Sequence, residues 1–173
     1  MDNLAKFWAR DKDATIIRIK EKFPNQVDES LRIADEVLAN TFTFQDVWEM
    51  ERSTDPVVFT GDITDIPWSY RPGEGEEWTF AFSRQTFLVH LAKAWAYTEN
   101  QKYLDQFHTI VEDWITREPL TEESKFSTWR SIEAGLRCDN WLRALKILSG
   151  TPGLNPDIVK IMEDALLQHG EYL

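Results

Sequence analysis

Through the second half of this chain apolar residues return at every third or fourth position, and each run ends at proline or glycine. That pattern demands amphipathic helices, each with one buried face and a short turn at its end. Residues 82–97 carry Phe87, Leu88, Leu91, Ala92, Trp95 and Ala96 as a double apolar stripe. Residues 102–116 repeat it with Tyr103, Leu104, Phe107, Ile110, Val111, Trp114 and Ile115, and Pro119 closes that unit. A third run covers 128–148 and stops at Gly150 and Pro152. The last begins near Pro156, with Asn155 as its cap and Ile158, Val159, Met162, Leu166 and His169 on its inner side.

The first half is less regular. A helix is expected over 11–23, with Ile16 and Ile19 inward and Pro24 as its stop. A second is expected from about Asp28, with Leu31, Ala34 and Leu38 buried and Asp28 or Ser30 capping its start. Residues 40–77 hold Pro56, Gly61, Pro67, Pro72, Gly73 and Gly75, with short β-prone runs at 41–44 and 57–59. They read as a long ordered connection whose aromatics (Phe42, Phe44, Trp48, Phe59, Trp68, Tyr70) pack against the helices. The expected fold class is therefore all-α, built from antiparallel helical hairpins. A closed ring of such hairpins is an (α/α) toroid, although periodicity alone also fits a bundle or an open solenoid. The apolar side of the last helix runs to Leu173 without a polar cap, as expected of an incomplete array that exposes apolar surface and self-associates through that end.

With 173 residues and a formal net charge of −11, the chain suits one domain and disfavours nucleic acid or an anionic membrane as partner. An anionic ligand would need a local basic cluster within this acidic surface. Eight tryptophans invite a carbohydrate reading, since an indole can stack on a sugar face, but for any one of them a place between helices is the expectation. Cys138 is the only cysteine, which excludes an intrachain disulfide and reads as a packed thiol. The charged start lacks the apolar stretch of an export signal, so the chain as given reads as cytoplasmic, or as periplasmic or secreted if a signal was removed.

One constellation carries chemistry. Arg130, Glu133, Arg137, Asn140 and Trp141 are spaced three, four, three and one residues apart. On one helix they share an arc of roughly 100°. Arginine grips carboxylate or sulfate with a planar fork, Glu133 can hold it, and Trp141 offers a ring for stacking. The same spacing also fits ion pairs within the helix, Arg130 to Glu133 and Glu133 to Arg137. A second cluster runs from Glu77 and Trp78 to Ser83 and Arg84. Read with Ser83 as an N-cap, it puts Arg84 in a first helical turn, where a cation gains nothing from the helix dipole and needs another partner, Glu77 or a bound anion. His90 and His108 have no metal-ligand spacing, and no phosphate loop, G-x-S-x-G or nucleophile triad is present.

Taken in order, these segments resemble the N-terminal domain of the heparinase II/III-like polysaccharide lyases. The likeness rests on Glu77-Trp78-Thr79-Phe80-Ala81-Phe82-Ser83-Arg84, then Leu91-Ala92-Lys93-Ala94-Trp95-Ala96-Tyr97-Thr98 and Trp114-Ile115. It continues through Trp129-Arg130-Ser131-Ile132-Glu133-Ala134-Gly135-Leu136-Arg137, Asn140-Trp141 and His169-Gly170-Glu171-Tyr172-Leu173, so it covers roughly Pro67 to the end. Ser83 and Gln85 stand where the family commonly has Asn and His around the first arginine. The resemblance implies that residues 1–173 are the N-terminal part of an (α/α) toroid, with the rest of the toroid and a C-terminal β-sandwich absent.

It further implies β-elimination of a uronic-acid-containing glycosaminoglycan of the heparin or heparan sulfate kind. A base takes the proton next to the uronate carboxyl, an acid assists the departing 4-linked oxygen, and the carboxylate is neutralised meanwhile. The family's Asn, Tyr and His for these steps lie beyond the part resembling 169–173, so no catalytic residue is carried over and the chain is expected to be inactive alone. Trp78, Arg84, Arg130, Glu133, Arg137, Asn140 and Trp141 match the motifs and are the candidate substrate-cleft residues. No cofactor is required in this segment, and the expected partner is an acidic polysaccharide or oligosaccharide. The alternative is an α-helical protein-interaction module whose Arg/Trp stripe docks another protein. A glycoside hydrolase on the same fold would need a second carboxylate opposite Glu133, and none stands out.

Overall fold

The computed structural model describes residues 11–44 and 55–173, and their fold is all-α, as the periodicity demands. Helix α1 (Lys12–Lys22) and helix α2 (Pro24–Leu38) are separated by Phe23 alone. Pro24 thus ends one helix and occupies the first turn of the next, where its missing N–H costs nothing. The caps expected at Asp28 or Ser30 are not used. Both residues lie inside α2, and the Ser30 hydroxyl donates back to the Gln26 carbonyl at 2.9 Å.

The long connection carries little regular structure. Its two β-prone runs pair as a minimal antiparallel ribbon, β1 (Thr41–Phe42) against β2 (Val57–Val58), with Thr41 opposite Val58. A 3₁₀ turn at Ile63–Asp65 follows. Trp48 lies outside the described residues. The connection's aromatics converge on Phe82, whose ring lies 4.8 Å from Phe42 and 5.1 Å from Trp68.

Five helices complete the chain: α3 (Glu77–Ser83), α4 (Phe87–Thr98), α5 (Gln101–Arg117), α6 (Ser131–Leu148) and α7 (Pro156–Tyr172). The single helix expected over 82–97 is in fact two, α3 and α4, broken at 84–86. Residues Glu99 and Asn100 alone join α4 to α5, so the chain must reverse there; Glu99 supplies the left-handed turn at φ 56° and Asn100 caps α5. Asn155 caps α7 as expected, accepting from the Asp157 N–H at 2.9 Å. Helix α4 is the centre of the assembly, packed on α2, α5 and α6, while α7 lies across α5 and α6. No described helix is long and apolar enough to cross a membrane.

All six described tryptophans, Trp68, Trp78, Trp95, Trp114, Trp129 and Trp141, are buried, so indole density here builds the interior. Trp68 shows how. It fills the interior beneath the connection, and its Nε1 donates to Asp113 Oδ2 on α5 at 2.7 Å. Asp113 also pairs with Arg117 at 3.0 Å, and Arg117 donates to the Thr64 carbonyl, so one carboxylate ties the connection to α5. Trp68→Ala should therefore cost about 3–5 kcal/mol in urea unfolding, against less than ~0.5 kcal/mol for Val58→Ala at the exposed edge of the ribbon.

Candidate functional site

Helix α3 is short, and Trp78 to Ser83 are all buried. Its C-terminal carbonyls therefore end in the interior, where each needs a donor that water cannot supply. The chain then turns sharply: Gln85 adopts φ 53°, a left-handed conformation that costs a non-glycine residue about 1–3 kcal/mol. Helix α6 lies against this elbow, and its polar stripe meets the need.

Arg137 Nη1 donates to the Ser83 carbonyl at 2.8 Å and to the Thr128 carbonyl at 2.9 Å. Asn140 Nδ2 donates to the Arg84 carbonyl at 2.8 Å and to Thr86 Oγ1 at 3.3 Å. Trp141 Nε1 donates to Gln85 Oε1 at 2.7 Å. Three consecutive members of the stripe thus hold residues 83–86, the strained turn included.

The acidic member holds two cations. Glu133 is 0% exposed in the first turn of α6, where the helix dipole favours a carboxylate. It accepts from Arg84 Nη2 at 3.1 Å and lies 3.3 Å from Arg130 Nε. Arg130 stands just before α6 rather than within it, with its guanidinium 3.9 Å from the Phe80 ring centre and its side chain 34% exposed. Two guanidiniums thus meet at one buried carboxylate.

Two expectations need correcting. Ser83 does not cap a helix that begins there; it is the last residue of α3. Arg84 consequently follows a helix C-terminus, where a cation is favoured, and among the described residues it pairs with Glu133 rather than Glu77. Of the two ion pairs expected within α6, Arg130 to Glu133 forms, whereas the bonds of Arg137 go to backbone carbonyls and to His169.

Arg137 is 0% exposed, and its charge rests largely on aromatic faces, 4.1 Å from the Trp114 centroid and 5.0 Å from that of Trp129. Burial pushes its guanidinium down to about 9, still protonated at neutral pH. Its Nε donates to His169 Nε2 at 3.0 Å, while His169 Nδ1 lies 2.6 Å from the Ala165 carbonyl. His169 must then be neutral, with its proton on Nδ1. Burial first, and the neighbouring Arg137 second, push it down to about 4.

Six of the seven residues singled out from the sequence come together at the elbow, whereas Trp78 packs in the aromatic cluster of the connection, its ring 4.9 Å from Phe82 and 5.6 Å from Tyr70. Trp78, Glu133, Arg137, Asn140 and Trp141 are buried, and Trp141, at 0%, has no open face for a sugar ring in this chain. Arg84 is nearly buried, and Arg130 alone among the seven presents a sizeable part of its side chain. Sequence reasoning missed Gln85, Phe80 and the Thr128 carbonyl as members of the cluster. His169 was placed on a packed stripe, which is where it lies, but its bond to Arg137 crosses between helices and has no local signal. Cys138 is half-buried, and burial raises its thiol. Among the described residues, no group of three or more His, Cys, Asp and Glu is arranged to hold a metal ion.

A family model described as Heparinase II/III N-terminus matches residues 2–173. Among solved structures, a mutant of heparan sulfate lyase HepC from Pedobacter heparinus is similar with a TM-score of 0.69 at 18% identity, over 83% of this chain and 21% of that one. The unmutated HepC gives 0.68 at the same identity and coverage. A heparinase III, the BT4657 gene product, gives 0.67 at 19% identity, over 82% of this chain and 23% of that one. At such identities the likeness establishes the fold, and this chain spans only about a fifth of the length of those structures. No curated protein matches it.

The geometry around His169 predicts a pH dependence. Its pKa falls from 6.5 to about 4 on folding, so its contribution is fully present above pH 6.5 and is lost as the pH drops towards 4. The loss is on the order of 3 kcal/mol. His169→Gln keeps an acceptor for Arg137 but does not titrate. Thermal unfolding followed from pH 7 to about pH 4 should show a shallower decline in the variant than in the parent chain. Parallel curves would remove His169 as the cause.

Proposed function

The chain belongs to the heparinase II/III N-terminal family, and from that membership we propose that it is the N-terminal part of the helical toroid of a polysaccharide lyase. The parent enzyme cleaves a uronic-acid-containing glycosaminoglycan, of the heparin or heparan sulfate kind, by β-elimination. This segment supplies one wall of the substrate cleft and does not turn over substrate alone. The observation that carries the assignment to this surface is the pair of guanidiniums, Arg84 and Arg130, that both meet the buried carboxylate of Glu133.

That arrangement suits the chemistry. Removing the proton beside a uronate carboxyl builds negative charge on a group that is already anionic, so the site must present positive charge to it or to neighbouring sulfates. Arg130 is held over Phe80 with part of its fork outward and is the residue proposed to contact the glycan, with Arg84 beside it. Glu133, Arg137, Asn140 and Trp141 form the wall behind, acting through the two arginines and the backbone they fix, and Trp78 packs against Phe82 on the same short helix.

A second reading, a protein-interaction module, draws on the exposed apolar side chains Phe126, Ile132, Leu167 and Leu173. An incomplete toroid also self-associates through such residues, so oligosaccharide binding that depends on Arg130, rather than sedimentation, separates the two.

Titration with heparan sulfate oligosaccharides should show weak, saturable binding that Arg130→Ala weakens by about five- to tenfold, the loss expected for a charge-assisted contact. The chain alone should give no rise in absorbance from unsaturated uronate. Binding that ignores Arg130, or turnover by the isolated chain, would overturn the proposal.

A further inference from the structure

A groove of about 670 Å³ lies between α1 on one side and α4 and α6 on the other. That volume falls within the ~300–1,000 Å³ typical of small-molecule sites. Helix α1 buries none of its residues. It is held at its ends, where Lys12 Nζ donates to the Ser149 carbonyl at 3.2 Å and Lys20 Nζ donates to the Tyr97 carbonyl at 3.0 Å. Between those ties Ile16 packs against the core, and the helix forms one side of the groove.

The floor is aliphatic: Ile16 and Ile19 from α1, Val89 from α4 and Ile147 from α6. Around it stand four cations, Lys12, Lys93, Arg143 and Lys146, against one lining carboxylate, Asp11. In a chain of net charge −11 this is a reversal of sign. Two of the four are committed, Lys12 to backbone and the Thr151 hydroxyl, and Arg143 to Asp139 at 2.8 Å. Lys93 and Lys146 make no hydrogen bond or ion pair with any described residue. Lys93 is the telling one. It is half-buried on an apolar floor beside a second cation, and desolvation and Arg143 together hold its ammonium below the usual lysine range. A cation so placed is short of an anion.

We propose that this groove binds a small amphipathic anion, a carboxylate or sulfonate with an aliphatic or aromatic body. The body lies on Ile16, Ile19, Val89 and Ile147, and the anionic group meets Lys93 and Lys146. A polysaccharide fits poorly, because an aliphatic floor offers its hydroxyls no partners. The site uses the C-terminal half of α6 and does not include Arg84 or Arg130, so it stands apart from the glycan surface.

Anilinonaphthalene sulfonate, followed by fluorescence, serves as the probe, with decanoate, decan-1-ol and a heparan sulfate tetrasaccharide as competitors. Decanoate should displace it about tenfold more strongly than the neutral alcohol, and Lys93→Met should weaken decanoate by a similar factor while Lys93→Arg changes it less than ~twofold. Lys146→Met should weaken it in the same direction and stands in if Lys93→Met fails to fold by far-ultraviolet circular dichroism. Equal displacement by alcohol and acid would reduce the groove to exposed apolar surface and overturn the proposal. So would unchanged decanoate affinity in the folded lysine variants, or displacement by the tetrasaccharide at lower concentration than decanoate. Loss of heparan sulfate binding in Arg130→Ala with decanoate binding intact would keep the two sites distinct.

Discussion

A helix that ends inside a protein leaves carbonyl groups with no water to bond, and the ordering of this fold follows from how that demand is met. Helix α3 ends at Ser83 in the interior, and the next residues turn through a left-handed Gln85 before α4 begins. The donors come from α6: Arg137 to the Ser83 carbonyl, Asn140 to the Arg84 carbonyl, and Trp141 to the Gln85 side-chain oxygen. An unmet carbonyl or a stranded guanidinium in this space would each cost on the order of 1–3 kcal/mol, so elbow and stripe stabilise one another. The same logic recurs at the end of α5, where Trp129 Nε1 donates to the Glu118 carbonyl at 2.7 Å. Polar side chains of the α6 region thus close the ends of two other helices, and the aromatic interior forms around the charge of Arg137.

Much of the architecture was legible in the sequence because it is local. Helix α5 came within a residue of its expected ends, and Asn155-Pro156 announced the start of α7. The common face of Glu133, Arg137, Asn140 and Trp141 followed from spacing alone. The break at 84–86 did not, since Ser83, Arg84 and Gln85 are all tolerated in helices and no glycine or proline marks the turn; the left-handed Gln85 is imposed by tertiary bonds. Pro24 carried two signals, a stop and a first-turn start, and only the stop was used. Spacing alone leaves the stripe open to a ligand or to ion pairs within the helix. That another helix terminates on it is a fact of tertiary structure with no trace in the local pattern.

Burial changes what these residues can do for a glycan. Glu133, Arg137, Asn140 and Trp141 shape a surface from behind, and Arg130 reaches outward from it. Two guanidiniums held on one buried carboxylate are oriented before any anion arrives. In an acidic chain local reversals of sign are where anionic ligands gain a foothold. The proposed glycan surface at Arg84 and Arg130 and the proposed anion groove beside α1 differ in their surroundings: arginine forks at one, aliphatic side chains and lysines at the other.

The claim on which the rest depends is that the α6 stripe acts by bracing the α3–α4 elbow. Amide hydrogen exchange of Asn140→Ala tests it most directly, because the Asn140 amide donates to the elbow carbonyl of Arg84 and to the Thr86 hydroxyl. The account predicts a stability loss of about 1–3 kcal/mol with exchange accelerated first at residues 84–89, while amides in the middle of α5 stay protected until global unfolding. Unchanged exchange and stability, accompanied by weaker heparan sulfate binding, would contradict it and place Asn140 in direct contact with ligand.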